Sequence, residues 1–257
     1  MRWQFRRAST FQQQARLAVT LAWVAGYTNV VALVACGLAV SNLTATTTRV
    51  GESIGTGDLA AVGLLGWVLG WFLLGAFVSG LLAALARVRG WGRVHGWPMA
   101  IEAVTLTVFA VCIEVFAEHR ASPDEVMSGH LLWVTTASGC FSMGLQNATI
   151  TRISGGVVRT THVTGVITDL GLELAKAVVP PAPAADAPET PRGWRGWVAT
   201  HQRLVLLSCI LASFLFGGML APLAYRLMEG WMMFAPVAFL VWIIVQDRVN
   251  PIRGEAP

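Results

Sequence analysis

An eleven-residue polar segment occurs twice in this otherwise apolar chain, and the duplication constrains the fold more than any other feature. The copies are residues 41–51 and 161–171, which lie 120 positions apart. Both contain the pattern T-x3-T-x2-G, formed by Thr44, Thr48 and Gly51 in the first copy and by Thr164, Thr168 and Gly171 in the second. An internal repeat decides the architecture before any local pattern does. The sequence therefore predicts two copies of one structural unit.

Further matches extend the repeat beyond the polar segment. They pair Gly26, Asn29 and Gly75 of the first half with Gly144, Asn147 and Gly217 of the second. The second half also contains about twenty extra residues in a stretch rich in proline and alanine, residues 179–200. Such a composition is typical of an extended linker, not of a folded domain.

The composition excludes an ordinary soluble domain. Apolar residues make up 55% of the chain and charged residues 12%, with a mean hydropathy of +0.61, whereas soluble domains have about 25% charged residues. A helix needs roughly 17–25 apolar residues to cross a bilayer. Five segments meet this need, 17–40, 59–88, 97–117, 131–153 and 204–228, and the shorter segment 231–245 is interpreted as a sixth span. The sequence predicts an all-α integral membrane protein with six transmembrane helices, the last one shortest and kinked at Pro236.

The lysines and arginines are unevenly distributed among the connections between these segments. Fifteen of the eighteen fall on one side of the membrane in the six-span arrangement. The positive-inside rule places that side, and both termini, in the cytoplasm. Residues 1–16 then form a basic cytoplasmic N-terminus and residues 247–257 a cytoplasmic tail, with segment 179–200 as a cytoplasmic linker. The basic character indicates orientation against anionic lipid, not nucleic-acid binding.

The order of segments predicts how the two copies are related. Residues 17–118 form the first repeat and residues 131–246 the second, and each has one span, the polar motif and two more spans. Because three crossings are an odd number, the second copy starts on the opposite side of the membrane. The repeats therefore have inverted topology, an arrangement typical of secondary transporters, whose sites lie near the repeat interface.

Each polar motif predicts a short helix rich in threonine and glycine after the first span of its repeat. Its two threonines and its glycine are spaced i, i+4, i+7, which puts them on one helix face. A threonine hydroxyl can bond to a carbonyl one turn earlier, so such a helix tolerates partial burial in lipid. The two helices either lie along opposite interfaces or re-enter the membrane and line a polar cavity. The alternative is helix packing without any ligand.

Polar side chains in or near the spans complete the set of candidates. A buried amide needs partners, so the two asparagines are expected to bond across the repeats. A carboxyl group within a span is either a proton- or cation-coupling group or an interfacial or structurally paired one. The candidate substrate or ion pathway is Asn29, Thr44, Thr48, Arg49, Glu102, Asn147, Thr164, Thr168 and Asp169. The candidate close-packing glycines are Gly51, Gly75, Gly171 and Gly217.

Two of these candidates occupy equivalent motif positions with opposite charge. Arg49 and Asp169 form an ion pair between the repeats only if both motifs re-enter toward the midplane. Otherwise Arg49 extends toward the membrane surface and Asp169 caps its helix or pairs locally with Arg159.

No enzymatic signature is present in the sequence. It contains no HExxH, GxSxG or phosphate-loop pattern, and no Rossmann glycine pattern after a strand. The four cysteines lie within spans without CxxC spacing, where they act by default as small hydrophobic residues. We therefore predict no enzyme activity, no metal site and no cofactor.

Several strings in the chain resemble a known family of bacterial membrane proteins, the YoaK-type family. These strings are Gly26-Tyr27-Thr28-Asn29, Ser41-Asn42-Leu43-Thr44-Ala45-Thr46-Thr47, Gly75-Ala76-Phe77, Gly144-Leu145-Gln146-Asn147-Ala148 and Arg159-Thr160-Thr161-His162-Val163-Thr164-Gly165. The resemblance implies a small multi-span protein of the bacterial inner membrane and supplies no activity. The first motif departs from the family's usual Ser-His-Met-Thr-Gly-Asn-Thr at Asn42, Leu43, Ala45 and Thr46.

The sequence thus favours a small inner-membrane transporter or permease for an unidentified small solute or ion. The alternative is a non-transporting scaffold, sensor or subunit that uses the motifs for helix packing. The lipid bilayer is the expected partner in both cases, and homo-oligomerisation is left open. A polar cavity lined by both motifs is the prediction that separates a transporter from a densely packed scaffold.

Overall fold

The computed structural model of the protein describes residues 2–90, 96–122, 125–153, 161–179, 194–227 and 231–249. These residues form helices and turns, and no strand is found among them. The helices are α1 (Arg2–Cys36), α2 (Leu43–Thr56), α3 (Leu59–Val88), α4 (Gly96–His119), α5 (Gly129–Ile153), α6 (Val163–Val178), α7 (Trp194–Thr200), α8 (Gln202–Leu227) and α9 (Phe234–Val249). The predicted all-α membrane protein is confirmed, with a short helix at each polar motif.

Four of the described helices are long and apolar enough to cross a membrane. They are the segment Ala15–Cys36 of α1, and the whole of α3, α4 and α8, and a shorter apolar segment is Phe234–Gln246 in α9. α5, predicted as a span, has 25 residues but is not among these apolar helices. Thirteen of its residues are buried, including threonines, a serine and a glutamine. A helix surrounded by protein can carry such side chains because lipid does not face them.

The predicted kink at Pro236 is not required by the structure. α9 begins at Phe234, so Pro236 lies in its first turn. Backbone N–H groups in a first turn have no helical acceptor, and proline is tolerated there. Just before this turn, the Tyr27 hydroxyl of α1 donates to the backbone oxygen of Met232 at 2.8 Å. The start of α9 is therefore fixed against α1.

The most extensive helix pairings join the two halves of the chain, α1 with α8 and α3 with α5. In the second pair, Trp67 Nε1 donates to Trp133 O at 3.1 Å, and Ser79 Oγ lies 2.9 Å from Thr149 Oγ1. Residue numbers increase together in these contacts, so α3 and α5 run parallel. α1 and α8 are also parallel, because Ser213 contacts Val19 and the later Gly218 contacts the later Val30.

Both pairings are built around glycines at equivalent positions of the repeat. Between α1 and α8, a Cβ atom on Gly26 would overlap the backbone of Phe214, and one on Gly217 would overlap the backbone of Trp23. Between α3 and α5, Gly144 faces the backbone of Phe72 in the same way, and Gly75 faces that of Phe141. All four contacts require glycine because a side chain would collide with a main-chain carbonyl.

The structure does not extend this close packing to the motif glycines. Gly51 and Gly171 are exposed, and no heavy atom of another described part of the chain lies within 4 Å of where their Cβ atoms would be. The close-packing prediction for these two glycines therefore does not hold within the described chain. Their positions on the open face of each motif helix are the physical reason.

Candidate functional site

The two motif helices, α2 and α6, have the same local structure. The Thr48 hydroxyl donates to Thr44 O at 3.0 Å, and the Thr168 hydroxyl donates to Thr164 O at 2.9 Å. These bonds satisfy the hydroxyl groups within each helix, as the spacing of the motif indicates. The face that carries the two threonines and the glycine is exposed in both helices.

The opposite faces of the motif helices hold them in place. Thr46 of α2 and its repeat equivalent Val166 of α6 are both buried, and Val50 and its equivalent Leu170 are partly buried against the core. Through these faces α2 packs on α3 and α6 packs on α8. Each motif helix therefore rests on the second long helix of its own repeat.

The N-terminal ends of α2 and α6 meet at one cavity of about 510 Å³. The residues that line it are Asn29, Ser41, Asn42, Leu43, Thr44, Phe72, Asn147, Thr151, Thr161, His162, Val163, Thr164 and Phe214. Each of the six lining residues from the first half has its repeat equivalent in the lining. The only member without such an equivalent is Thr151. The cavity is thus built jointly by the two repeats.

The convergence of the two motifs favours one of the two arrangements that the sequence left open. Helices that lie along opposite membrane surfaces would keep their first residues about 30 Å apart, the thickness of the hydrocarbon core. Here Thr44 and Thr164 line the same cavity. The motif helices contain 14 and 16 residues, which correspond to about 21–24 Å of helix and are too short to span. Their shared cavity is the feature expected of re-entrant segments.

The cavity lining offers hydrogen bonds without formal charge. It contains three asparagines, five hydroxyl side chains and the His162 imidazole. No Asp, Glu, Lys or Arg occurs among the described residues that line it. The apolar part includes two equivalent aromatic rings, Phe72 and Phe214, which lie on α3 and α8. Such a surface recognises a ligand by hydrogen bonds and apolar contact, as most small-molecule sites do.

The two asparagines of the first spans both line the cavity, but their bonding differs. Asn29 Oδ1 accepts hydrogen bonds from the Ser41 backbone N–H and from Ser41 Oγ, both at 3.0 Å. Asn147 Oδ1 is buried and has no hydrogen-bond partner among the described residues. The expected bond between the asparagines is therefore not made by Asn29 Oδ1, because the start of its own motif occupies that oxygen. Asn147 leaves one acceptor unused at the cavity.

The residue before each motif helix also differs between the halves. Asn42 caps α2, since its Oδ1 accepts from the Ala45 backbone N–H at 3.3 Å. His162 occupies the same place before α6 and makes no side-chain cap bond. Its imidazole instead lies over Gly165, where a Cβ atom would be 2.8 Å from Cε1 and closer still to Nδ1. In this rotamer the histidine ring occupies the space that a Cβ atom three residues later would need, so glycine stands there. Asparagine at the equivalent place leaves room for the Ala45 methyl group.

Four of the nine candidate pathway residues meet at the cavity: Asn29, Thr44, Asn147 and Thr164. Thr48 and Thr168 lie one turn further along their helices and outside the lining. Arg49 is exposed on α2. Asp169 pairs with Arg203 of α8 at 2.9 Å, and the same arginine lies 3.7 Å from Glu173. Asp169 therefore pairs with a residue of α8 and not with Arg49, while Arg159, the local partner expected, lies outside the described residues.

Glu102 is the remaining candidate, and it lies away from the cavity lining. It is 1% exposed, and neither of its carboxyl oxygens has a hydrogen-bond partner in the described residues. The carboxyl group therefore does not reach the molecular surface.

Several lining residues were not predicted from the sequence. Ser41 with Thr161 and Asn42 with His162 match at the 120-residue offset of the motif, and Phe72 with Phe214 match at the 142-residue offset of Gly75 and Gly217. Extending the offsets to chemically similar residues would have found the first and last pairs. Nothing in the sequence marks Thr151, which has no polar equivalent in the first half.

Comparison with known proteins gives the family but no activity. A protein family of unknown function, DUF1275, matches residues 17–246, which is most of the chain. The curated proteins give no match to the chain, and neither do the solved structures. The YoaK-type resemblance is confirmed, since that family falls within DUF1275. With its all-helical fold and its apolar helices, this chain is a membrane protein that belongs to the DUF1275 family.

Proposed function

We propose that the protein is a small permease that binds a polar solute in the cavity between α2 and α6. The observation that carries this proposal is the shared lining, in which both copies of the motif contribute equivalent residues to one cavity of about 510 Å³. A scaffold that used the motifs only for packing would leave no such space between them. A volume in the range of roughly 300–1,000 Å³ is typical of small-molecule sites.

The directions of the helices support inverted repeats. α1 and α8 are parallel, as are α3 and α5, while α4 and α5 are antiparallel. These relative directions are the ones expected if six helices cross the membrane one after another, in the order α1, α3, α4, α5, α8 and α9. The two halves then start on opposite sides, and the cavity lies at their interface, as in transporters with inverted-topology repeats.

The proposal includes a location and an orientation. Six spans with fifteen of eighteen basic residues on one side place both termini and segment 179–200 in the cytoplasm of a bacterial cell, with the protein in the inner membrane. Reporter fusions at Pro257 and in segment 179–200 should then both be cytoplasmic, and a fusion near Pro123 should be periplasmic. A linker and a C-terminus in opposite compartments would contradict the six-span arrangement.

The test of transport is a screen for solute uptake in proteoliposomes. Thr44→Val/Thr164→Val removes two hydroxyl groups from the cavity and should abolish the uptake seen with wild type. Thr48→Val/Thr168→Val makes the same chemical change one turn away, outside the lining, and should transport normally. Equal uptake by both double variants would contradict the assignment of the cavity as the solute site.

The alternative function is a scaffold or subunit, and one observation favours it. The threonine and glycine face of each motif helix is exposed, with open space over Gly51 and Gly171, so a partner helix could approach closely there. In that case Thr48→Val/Thr168→Val and substitutions of the two glycines would disrupt function, while Thr44→Val/Thr164→Val would not.

A further inference from the structure

A buried carboxyl group outside the cavity has no role in the fold or in the proposed solute site. Among the described residues, the two carboxyl oxygens of Glu102 in α4 have no hydrogen-bond partner, and no ion pair includes them. Its neighbours on the same helix, Met99, Ala103 and Leu106, are buried apolar side chains. These three neighbours are apolar, and no described residue forms an ion pair with the carboxyl group.

The ionised form of such a group has a large free-energy cost. Removing a carboxylate from water without a cation or hydrogen-bond donors costs far more than removing the neutral acid. The neutral acid loses only the hydrogen bonds that it fails to make. These costs favour the neutral carboxylic acid form of Glu102 over the carboxylate.

The contacts between α4 and α5 define the depth of this group. Thr105 Oγ1 lies 2.6 Å from Ser142 Oγ. One turn further along α4, the ring of Phe109 packs on the earlier residue Gly139, where a Cβ atom would be 3.0 Å from Cδ2. The two helices are therefore antiparallel, and residues toward the start of α4 are level with residues toward the end of α5.

This register places Glu102 at the level of the cavity. Extended by one turn, it brings Glu102 level with Gln146 of α5, whose Oε1 is also buried without a partner. The next residue, Asn147, lines the cavity. α5 therefore has the cavity on one side and the buried carboxyl group on another, so that a movement of α5 alters both.

None of the described titratable groups on the packed helices forms an ion pair with Glu102. α5 carries His130, Cys140 and Arg152; His130 lies in the first turn, and Arg152 donates its hydrogen bonds to α3. α3 has Arg87 in its last turn, and the described side chains of α9 include no titratable group. α4 carries four further groups, all toward its other end: Cys112, Glu114, Glu118 and His119.

We propose that Glu102 is a proton-binding site coupled to rearrangement of the cavity. The carboxyl group holds a proton in the conformation described here. It releases that proton to water only when α4 and α5 separate enough to hydrate it, and α5 carries Asn147 and Thr151 of the cavity wall. Proton binding favours the present conformation, and the rearrangement weakens proton binding by the same factor. The role in transport rests on the proposed function, whereas the protonated state does not.

The protonated state is tested by infrared spectroscopy of the purified protein at neutral pH. Wild type should show the carbonyl stretch of a protonated carboxylic acid, and Glu102→Gln should lose that part of the band. Glu118→Gln, an exposed position on the same helix, should match wild type. Glu102→Asp keeps the acid and should shift the band without removing it. A band that is identical in wild type and in all these variants would overturn the proposal.

The coupling is tested by cysteine labelling in proteoliposomes with a membrane-impermeant maleimide. Thr44→Cys reports access to the cavity, in a background where the exposed Cys209 is replaced by serine. The labelling rate is measured at each pH in the Thr44→Cys protein that keeps Glu102 and in the one that also carries Glu102→Gln. The ratio of these two rates should change by up to about tenfold per pH unit, the limit for one linked proton. The Glu118→Gln background should follow wild type. The same pH dependence in all three backgrounds would overturn the coupling.

The two tests separate this inference from the proposed function. A protein that takes up no solute in the screen but shows labelling with Glu102-dependent pH sensitivity would reject the permease and retain the proton site. Solute uptake with labelling that does not depend on Glu102 would retain the permease and reject the proton site.

Discussion

The α1–α8 pairing and the α3–α5 pairing are built on equivalent glycines, yet their polar contacts differ. At the α3–α5 pairing, Ser79 Oγ lies 2.9 Å from Thr149 Oγ1, and Arg152 donates to both the backbone oxygen and the hydroxyl of Ser79. The equivalent residues at the α1–α8 pairing are Ala221, Val31 and Val34. The backbone geometry of the repeat is thus retained where the side-chain chemistry is not. Steric contact between main chains tolerates no substitution, whereas a hydrogen-bonded cluster can be replaced by apolar side chains of similar size.

The largest effects are expected where the two pairings are alike. Gly26→Ala and Gly144→Ala each place a methyl group against a main-chain carbonyl, so each should lower the free energy of unfolding by about 3 kcal/mol or more, the upper range for overpacking. Gly51→Ala is the control, since its Cβ atom meets open space and alanine favours a helix by about 1 kcal/mol. Titration with a denaturing detergent measures the free energy of unfolding of all three variants. A loss confined to one pairing would show that the two are not equivalent.

A smaller effect is expected where the pairings differ. Thr149→Val removes only the contact with the Ser79 hydroxyl and should cost about 1 kcal/mol, within the range measured for hydrogen bonds between membrane helices. Ser79→Ala also removes the acceptor of Arg152 Nη2 and should cost more. The double variant should cost little more than Ser79→Ala alone, because that change has already removed the bond to Thr149. Val31→Thr introduces the hydroxyl on α1, where Ala221 offers no partner, and should not stabilise the protein. Fully additive costs would contradict a shared bond.

The ends of α2 and α6 at the cavity provide a second comparison. Here the same substitution is expected to destabilise the protein in one background and to stabilise it in another. Gly165→Ala pushes the His162 ring out of its position and should cost about 1 kcal/mol, as displaced rotamers do. In a His162→Asn background the same change should stabilise by up to about 1 kcal/mol, since the ring is absent and alanine is the better helix former. The unfolding free energies of the four proteins in this cycle measure the coupling. Equal effects of Gly165→Ala in both backgrounds would show that the ring does not lie over the glycine.

The motif helices and the four pathway residues at the cavity could be predicted from the sequence, because spacing and internal offsets carry that information. Their meeting at one cavity could not be decided, since the topology alone allows helices at opposite surfaces. α5 is less apolar than a lipid-facing span because its side chains pack against protein, so its thirteen buried residues become evident only from the structure. The partner of Asp169 is also unreadable, because Arg203 lies 34 positions away with no pattern that connects them.

The smallest effect is expected at the motif position where the repeats carry opposite charges. Asp169 pairs with Arg203 at 2.9 Å, but their side chains are 38% and 47% exposed, and pairs so accessible to solvent contribute about 0.2–1 kcal/mol. Asp169→Asn should therefore cost less than about 1 kcal/mol, and the cost should diminish in high salt, which screens exposed charges. Arg49→Gln changes the equivalent position in α2, where no ion pair is found among the described residues, and should leave the free energy of unfolding unchanged. An effect of Arg49→Gln that disappears in the Asp169→Asn background would instead reveal the ion pair between the repeats that this conformation lacks. Detergent titrations of the two single variants and the double variant, at low and high salt, distinguish these outcomes.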